Sequence, residues 1–174
     1  GLGISGGNVE RDIYAIRSIL KNDPESRSVP EVFQRNSEFM KSWVFRILKK
    51  EKILKKRKLN IGILGLAYKE NTNSTKNSPS LYLINKLSNN YVRIYDPKVK
   101  LENKNKNCFQ VKKIENLINN SDILIFLTPW REFKKVNKIL KSNKKRKKIL
   151  IDPYRIIDYK IIQNTNYKYF TIGK

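Results

Sequence analysis

Residues 61–80, Ile-Gly-Ile-Leu-Gly-Leu-Ala-Tyr-Lys-Glu-Asn-Thr-Asn-Ser-Thr-Lys-Asn-Ser-Pro-Ser, constrain the fold more than any other stretch of the chain. Ile61 to Leu66 is a continuous apolar run, the pattern of a strand covered on both faces. It passes into a polar turn carrying Lys69, Asn71, Asn73 and Lys76. The turn ends at Ser78-Pro79, which reads as the N-cap and first residue of a helix. Ligands of open α/β sheets sit at the carboxyl ends of strands, so strand, polar loop and capped helix together form the grammar of a ligand site. An ordinary βα connection has the same grammar.

The rest of the chain repeats that alternation. Residues 1–12 form a glycine-rich loop in which Gly3, Gly6 and Gly7 permit positive φ and close approach of backbone N–H groups to an anion. No strand precedes the loop, so it is not a dinucleotide fingerprint by itself. A flexible end fits the same composition. Residues 9–21 predict a helix with Ile13, Ile16, Ile19 and Leu20 on one face. A break follows at residues 22–26, then a second helix from Val29 to Lys56. Its stripe of Val32, Phe33, Phe39, Met40, Trp43, Val44, Ile47 and Leu48 reads as core or a helix–helix contact. Its basic tail, Lys49 to Lys58, reads as a solvated end favoured by the macrodipole.

Strands are expected at residues 60–66, 91–95, 108–111, 122–127, 149–152 and 169–172, with helices after Pro79, at 114–118, after Trp130 to Leu140, and at 156–162. Asp122–Leu127 is the most apolar strand and the candidate for the sheet centre. Lys141–Lys148 reads as a basic turn. Strands alternating with helices indicate an α/β fold, a mostly parallel, doubly wound sheet behind a helical N-terminal segment.

Composition removes several chemistries. There is no histidine and one cysteine, Cys108, so Ser-His-Asp triads, His-ligated metals and multi-cysteine zinc sites are excluded within the chain, and no metal is expected. No apolar run reaches membrane-spanning length and no signal-peptide pattern opens the chain, so no membrane is expected and a cytoplasmic location follows by default. The formal charge of +23, from 38 Lys+Arg against 15 Asp+Glu, raises nucleic acid or anionic membrane as partners. The excess is mostly lysine, dispersed and accompanied by Ile and Asn. That pattern reads as compositional drift over the whole surface, and nucleic acid is not the expected partner. The first residue is Gly1, inside the glycine-rich loop, and the chain reads as the distal part of a longer polypeptide.

Five separated motifs, taken in order, resemble the UDP-glucose/GDP-mannose dehydrogenase family. They are the glycine-rich loop of residues 3–12, Gly-Leu-Ala-Tyr-Lys through Ser-Pro at 65–79, Val-Arg-Ile-Tyr-Asp-Pro at 92–97, the segment from Asp122 to Phe133 with Thr128 and Trp130, and the strand end at 152–155. The resemblance implies a helical central region, residues 1–57, that mediates homodimerisation and carries the remnant catalytic loop. It also implies a Rossmann-like nucleotide-sugar-binding domain, residues 58–174. NAD would be bound mainly by a domain outside this chain.

The family oxidises a sugar C6 alcohol to the acid in two NAD-dependent steps, with a cysteine thiolate trapping the aldehyde. The matching position here is Asn8, whose amide nitrogen cannot act as that nucleophile. Asp12 matches the acid that helps to activate water. Three routes remain for a parent enzyme: an alcohol–aldehyde step only, another chemistry, or loss of activity. For the substrate the resemblance implies contacts from Tyr68 and Lys69, from Arg155, and from Gly3 and Ile4 of the loop. Lys76 stands where the family has an arginine facing NAD; it keeps the charge and loses the planar fork. Thr128 and Trp130 are expected to hold the sheet end and the helix start. Two other readings compete: a non-catalytic nucleotide-sugar-binding or dimerisation module, and a nucleic-acid-binding protein.

Overall fold

The computed structural model describes residues 1–55, 59–87, 90–102, 106–142 and 147–173. Three helices come first: α1 (Asn8–Ile19), α2 (Pro24–Lys41) and α3 (Trp43–Lys50). The sheet units follow in the order β1 (Asn60–Leu64), α4 (Pro79–Lys86), β2 (Tyr91–Tyr95), β3 (Cys108–Gln110), α5 (Ile114–Asn119), β4 (Ile123–Phe126), α6 (Val136–Ser142), β5 (Ile149–Ile151), α7 (Tyr159–Gln163) and β6 (Lys168–Phe170). The sheet has six strands in the order β3-β2-β1-β4-β5-β6. Every pairing is parallel, with Ile61 opposite Val92 on one side and Ile123 on the other. The connection from β3 to β4 crosses from one side of β1 to the other. The topological switch point therefore lies between β1 and β4, as it does in doubly wound dinucleotide folds.

β1 and β4 are central because their residues are apolar on both faces. All four residues of β4 are buried, as are Ile61 to Leu64. A large side chain in that position, such as Phe126, contributes about 2–3 kcal/mol by burial. Leu2, Val44 and Leu48 join the same core cluster as the strands, which ties the N-terminal loop and α3 to the sheet domain.

Several boundaries differ from the expectation, each for a local reason. β1 stops at Leu64 because Gly65 turns the chain with φ +102°. A side chain there would put Cβ 2.3 Å from the Thr128 hydroxyl. The second helix begins at Pro24, not Val29, because the Asp23 carboxylate accepts from Ser26 N and Pro24 takes the first helical position. It carries Pro30 in its interior and gives way to a separate α3 at Ser42. Its apolar stripe is core only from Trp43 onward; Val32, Phe33 and Phe39 are more than half exposed. After Trp130 a short 3-10 turn, Arg131–Lys135, precedes α6. α7 starts at Tyr159, not 156, since the Asp152 carboxylate holds Ile157 N at 2.8 Å and Asp158 caps the helix through Lys160 N. The last strand ends at Phe170. The end of the expected basic tail (56–58), the boundary drawn at 57/58 and the centre of the basic turn (143–146) lie outside the described residues. Lys148, at the end of that turn, is not solvated: it is buried, and its ammonium donates to the carbonyls of Ile118 and Ser121 at the end of α5.

Candidate functional site

The stretch from Gly65 to Ala67 turns away from the end of β1, and each of its backbone polar groups has a partner. Gly65 N donates to Tyr95 O at 2.8 Å. Leu66 N and Ala67 N both donate to Asp96 Oδ2, at 2.6 and 3.1 Å. Ser80 Oγ donates to Gly65 O at 2.6 Å, Ser78 Oγ to Leu66 O at 2.7 Å and Thr128 Oγ1 to Ala67 O at 2.6 Å. Ser78 also accepts from Ser80 N, so it caps α4 as its sequence position predicts. Thr128 and Trp130 hold the strand ends together, with the Trp130 indole donating to Asp96 Oδ2 at 3.2 Å. With its amides taken, this turn has no donors left for a phosphate. The three amides that follow β1 are therefore not free to form a phosphate cradle at the switch point.

The open surface lies one step farther along the chain. The glycine loop folds over the polar turn, and Gly6 N donates to Lys76 O at 2.9 Å. Gly6 has φ +84°, and a Cβ there would meet the Tyr68 ring at 2.9 Å, so only glycine lets the loop sit this close. The base of the loop is anchored where Ile4 N donates to Ser37 Oγ at 2.8 Å. Between loop and turn lies a cleft of about 470 Å³. It is lined by Ser5, Gly6, Gly7, Asn8 and Val9 on one side and Tyr68, Lys69, Ser74 and Lys76 on the other. Both charged side chains of the lining are lysines, and no carboxylate lines it. Lys69 Nζ lies 5.4 Å from the centre of the Tyr68 ring. Backbone N–H groups of a glycine loop and two ammonium groups beside an aromatic face can receive a di-anionic ligand that carries a ring.

The structure thus brings Asn8, Tyr68, Lys69 and Lys76 to one cleft. Gly3 and Ile4 sit behind it, packed on α2 at Ser37. Asp12 is exposed on α1, paired to its neighbour Arg11 at 3.1 Å, and is not part of the lining. Arg155 is directed elsewhere. With φ +55° it turns its guanidinium to the carbonyls of Ile172 and Gly173, at 3.0 and 3.2 Å, beside Tyr159, Tyr169 and Thr171. Its neighbour Tyr154 takes the inward direction: the phenol donates to Leu127 O at 3.4 Å, and burial pushes its pKa up. Burial likewise raises the Asp152 carboxyl above the ordinary range, against backbone hydrogen bonds from Ile157 and others that favour the anion. Cys108 is buried on the edge strand β3. Among the described residues no group of three or more His, Cys, Asp or Glu could hold a metal ion, and no helix is long and apolar enough to cross a membrane. Asp96 is the structural residue that sequence reasoning passed over. Its signal was present in the Val-Arg-Ile-Tyr-Asp-Pro motif at 92–97, which carried the family resemblance but assigned no contact to Asp96.

Residues 62–159 match the family model for the UDP binding domain of the UDP-glucose/GDP-mannose dehydrogenase family. The chain is 30% identical over 188 residues to a UDP-glucose 6-dehydrogenase of Rickettsia bellii, covering 99% of this chain and 41% of that protein. It is 32% identical over 160 residues to a UDP-N-acetyl-D-mannosamine dehydrogenase of Pyrococcus horikoshii, covering 90% of this chain and 36% of that protein. Among solved structures, the UDP-D-ManNAc dehydrogenase of Pyrococcus horikoshii superposes with a TM-score of 0.72 at 29% identity, over 97% of this chain and 39% of that one. An NDP-N-acetyl-D-galactosaminuronic acid dehydrogenase of Methanosarcina mazei shares the fold with a TM-score of 0.80 at 20% identity, over 100% of this chain and 39% of that one. The chain spans 41% or less of the length of these relatives. A glycine-loop cleft at the end of a parallel sheet and a matched domain model over most of that sheet lead to one assignment: the chain belongs to the UDP-glucose/GDP-mannose dehydrogenase family, with residues 62–159 forming its UDP binding domain.

Proposed function

We propose that this chain is the nucleotide-sugar-binding part of an NAD-dependent dehydrogenase that oxidises a sugar C6 alcohol toward the acid. The observation that carries the reading is the cleft between the glycine loop and the Tyr68–Lys76 turn, cationic and without a carboxylate on its lining. In this reading Lys69 pairs with the substrate diphosphate as a point charge, and Tyr68 packs against the ring system. The glycine loop, held at its base by Gly3 and Ile4 on α2, closes over the ligand with Ser5, Gly6 and Gly7 on the cleft wall. Lys76 faces the cofactor, whose phosphate cradle lies outside the described residues of this chain. Residues 1–57 act as the helical dimerisation region of a homodimer and residues 58–174 as the substrate domain. The mostly exposed apolar residues Val29, Val32, Phe33 and Phe39 on α2 and Ile16 and Ile19 on α1 support that division.

Asn8 lies on the cleft wall, where it offers an amide donor and acceptor but no nucleophile. The covalent thioester route is therefore closed at this position, and Cys108, buried on the sheet edge, does not supply it. Asp12, the acid that the family resemblance implies for activating water, stands outside the cleft lining. The same substitution supports a second reading, a non-catalytic nucleotide-sugar-binding module.

Calorimetric titration of the chain with UDP-glucose, with uridine as comparator, tests the binding claim. Saturable binding of the nucleotide-sugar, at least tenfold tighter than uridine, is expected from diphosphate contacts. Equal affinities would remove the diphosphate from the reading. NAD reduction separates the two readings. The chain alone is expected to give no turnover with UDP-glucose, and turnover above background would place the catalytic machinery within it.

A further inference from the structure

Asp96, the residue after β2, is a buried carboxylate surrounded by N–H donors. It is 7% exposed, and five N–H groups converge on it. One half of that arrangement is local: Oδ1 accepts from Lys98 N at 2.9 Å and Val99 N at 2.8 Å, an Asx turn that closes β2. The other half is not. Oδ2 reaches across about thirty residues of sequence to Leu66 N and Ala67 N, and to the Trp130 indole. It therefore joins the ends of β1, β2 and β4 at one atom, and two of those strands, β1 and β4, border the switch point. In a doubly wound fold that place belongs to a ligand phosphate, held by the amides that follow β1. All five contacts are N–H donors to carboxylate oxygens, the same chemistry with an internal anion.

We propose that Asp96 is a built-in anion: its carboxylate fills the phosphate cradle of this sheet's own switch point, and by filling it fixes the turn from which Tyr68 and Lys69 reach the cleft. Leu66 and Ala67 immediately precede Tyr68, so the two amides held by Asp96 set the direction in which the aromatic-lysine pair leaves the strand. Asp96 touches no ligand in this account; it is a positioning residue. An external anion is thereby confined to the glycine-loop side. That last consequence rests on reading the cleft as the anion site, whereas the filling of the cradle does not.

Amide NMR of the labelled chain, titrated with inorganic pyrophosphate, tests both parts. The Gly7, Lys69 and Lys76 resonances are expected to move and saturate, while Leu66 N–H, Ala67 N–H and the Trp130 indole N–H stay in place. Movement of Leu66 or Ala67 with pyrophosphate would overturn the proposal, because the cradle would then be open. Asp96→Asn keeps the side-chain volume and sets an NH2 against N–H donors. Its Leu66 and Ala67 amides are expected to shift upfield and exchange about tenfold faster, and pyrophosphate affinity at Lys69 to fall about fivefold. In Asp96→Ala, added formate should return the Leu66, Ala67 and Trp130 signals toward their wild-type positions, whereas chloride at equal ionic strength should not. Wild-type amide positions in Asp96→Asn, or indifference of Asp96→Ala to formate, would contradict the assignment. Stationary signals at Gly7 and Lys69 in the wild type, with the variants behaving as described, would instead refute the cleft reading and leave the filled cradle standing.

Discussion

Lys69 and Lys76 share one cleft, and no acid on its lining competes for them. Lys69 is exposed, so removing it costs little folding energy and mainly removes charge from the site. Lys69→Ala is expected to weaken UDP-glucose binding about tenfold and to flatten its salt dependence, with stability changed by less than about 0.5 kcal/mol. Titration calorimetry at two salt concentrations and a denaturant melt check both halves. Two tyrosines mark the other end of the residue scale. Burial, with Glu132 beside it, pushes the Tyr95 phenol up to about 12. Burial and the neighbouring Asp152 carboxylate push Tyr169 up to about 12. Both folded values lie above the ordinary 10.0, so the folded state holds these protons longer than the unfolded chain does. Their contribution to stability is complete below pH 10 and is lost as pH rises from there through about 12. Phenolate absorbance should show four of the nine tyrosines, Tyr95, Tyr154, Tyr167 and Tyr169, titrating late, and Tyr95→Phe should remove one of them and soften the alkaline loss. The lysines and Tyr68 were legible as a polar turn after a strand. Asp96 was not, because the contacts that define it come from residues about thirty positions away.

At the scale of elements, the junction of β1 with α4 depends on two serine hydroxyls and a threonine hydroxyl that satisfy three consecutive carbonyls. Ser78→Ala removes the donor to Leu66 O and the cap on Ser80 N together, both in a buried setting. It should cost about 2–3 kcal/mol, seen as a lower urea midpoint with an unchanged m value. The strands were readable to within two or three residues, because runs such as Ile123–Phe126 have no polar face to make their pairing ambiguous. The helices were less so. The α2 start depended on an Asp-Pro step that also reads as a turn, and the exposed half of its stripe has the same period as a buried one. Periodicity reports an apolar face but does not identify what covers it.

At the scale of the whole molecule, the sheet is well packed while α1 buries no residue and α2 only Pro30 and Ser37. The proposed homodimer covers that helical face. Sedimentation of the chain should show concentration-dependent self-association that Phe33→Glu abolishes without changing helix content. A strictly monomeric wild-type chain would remove the dimer from the account. The general architecture was legible because alternating strand and helix signals admit few topologies. The +23 charge was the least informative global feature, since 38 Lys and Arg are dispersed along the chain and only two of them, both lysines, line the glycine-loop cleft. It also sets the control for the central claim, because any polyanion will adhere to such a surface at low salt. The most direct measurement is therefore a residue-resolved NMR titration with UDP-glucose at physiological salt. The account predicts saturable shifts concentrated at Gly6, Gly7, Tyr68, Lys69 and Lys76. Shifts dispersed over the surface lysines and erased by salt, or none in the cleft, would contradict it.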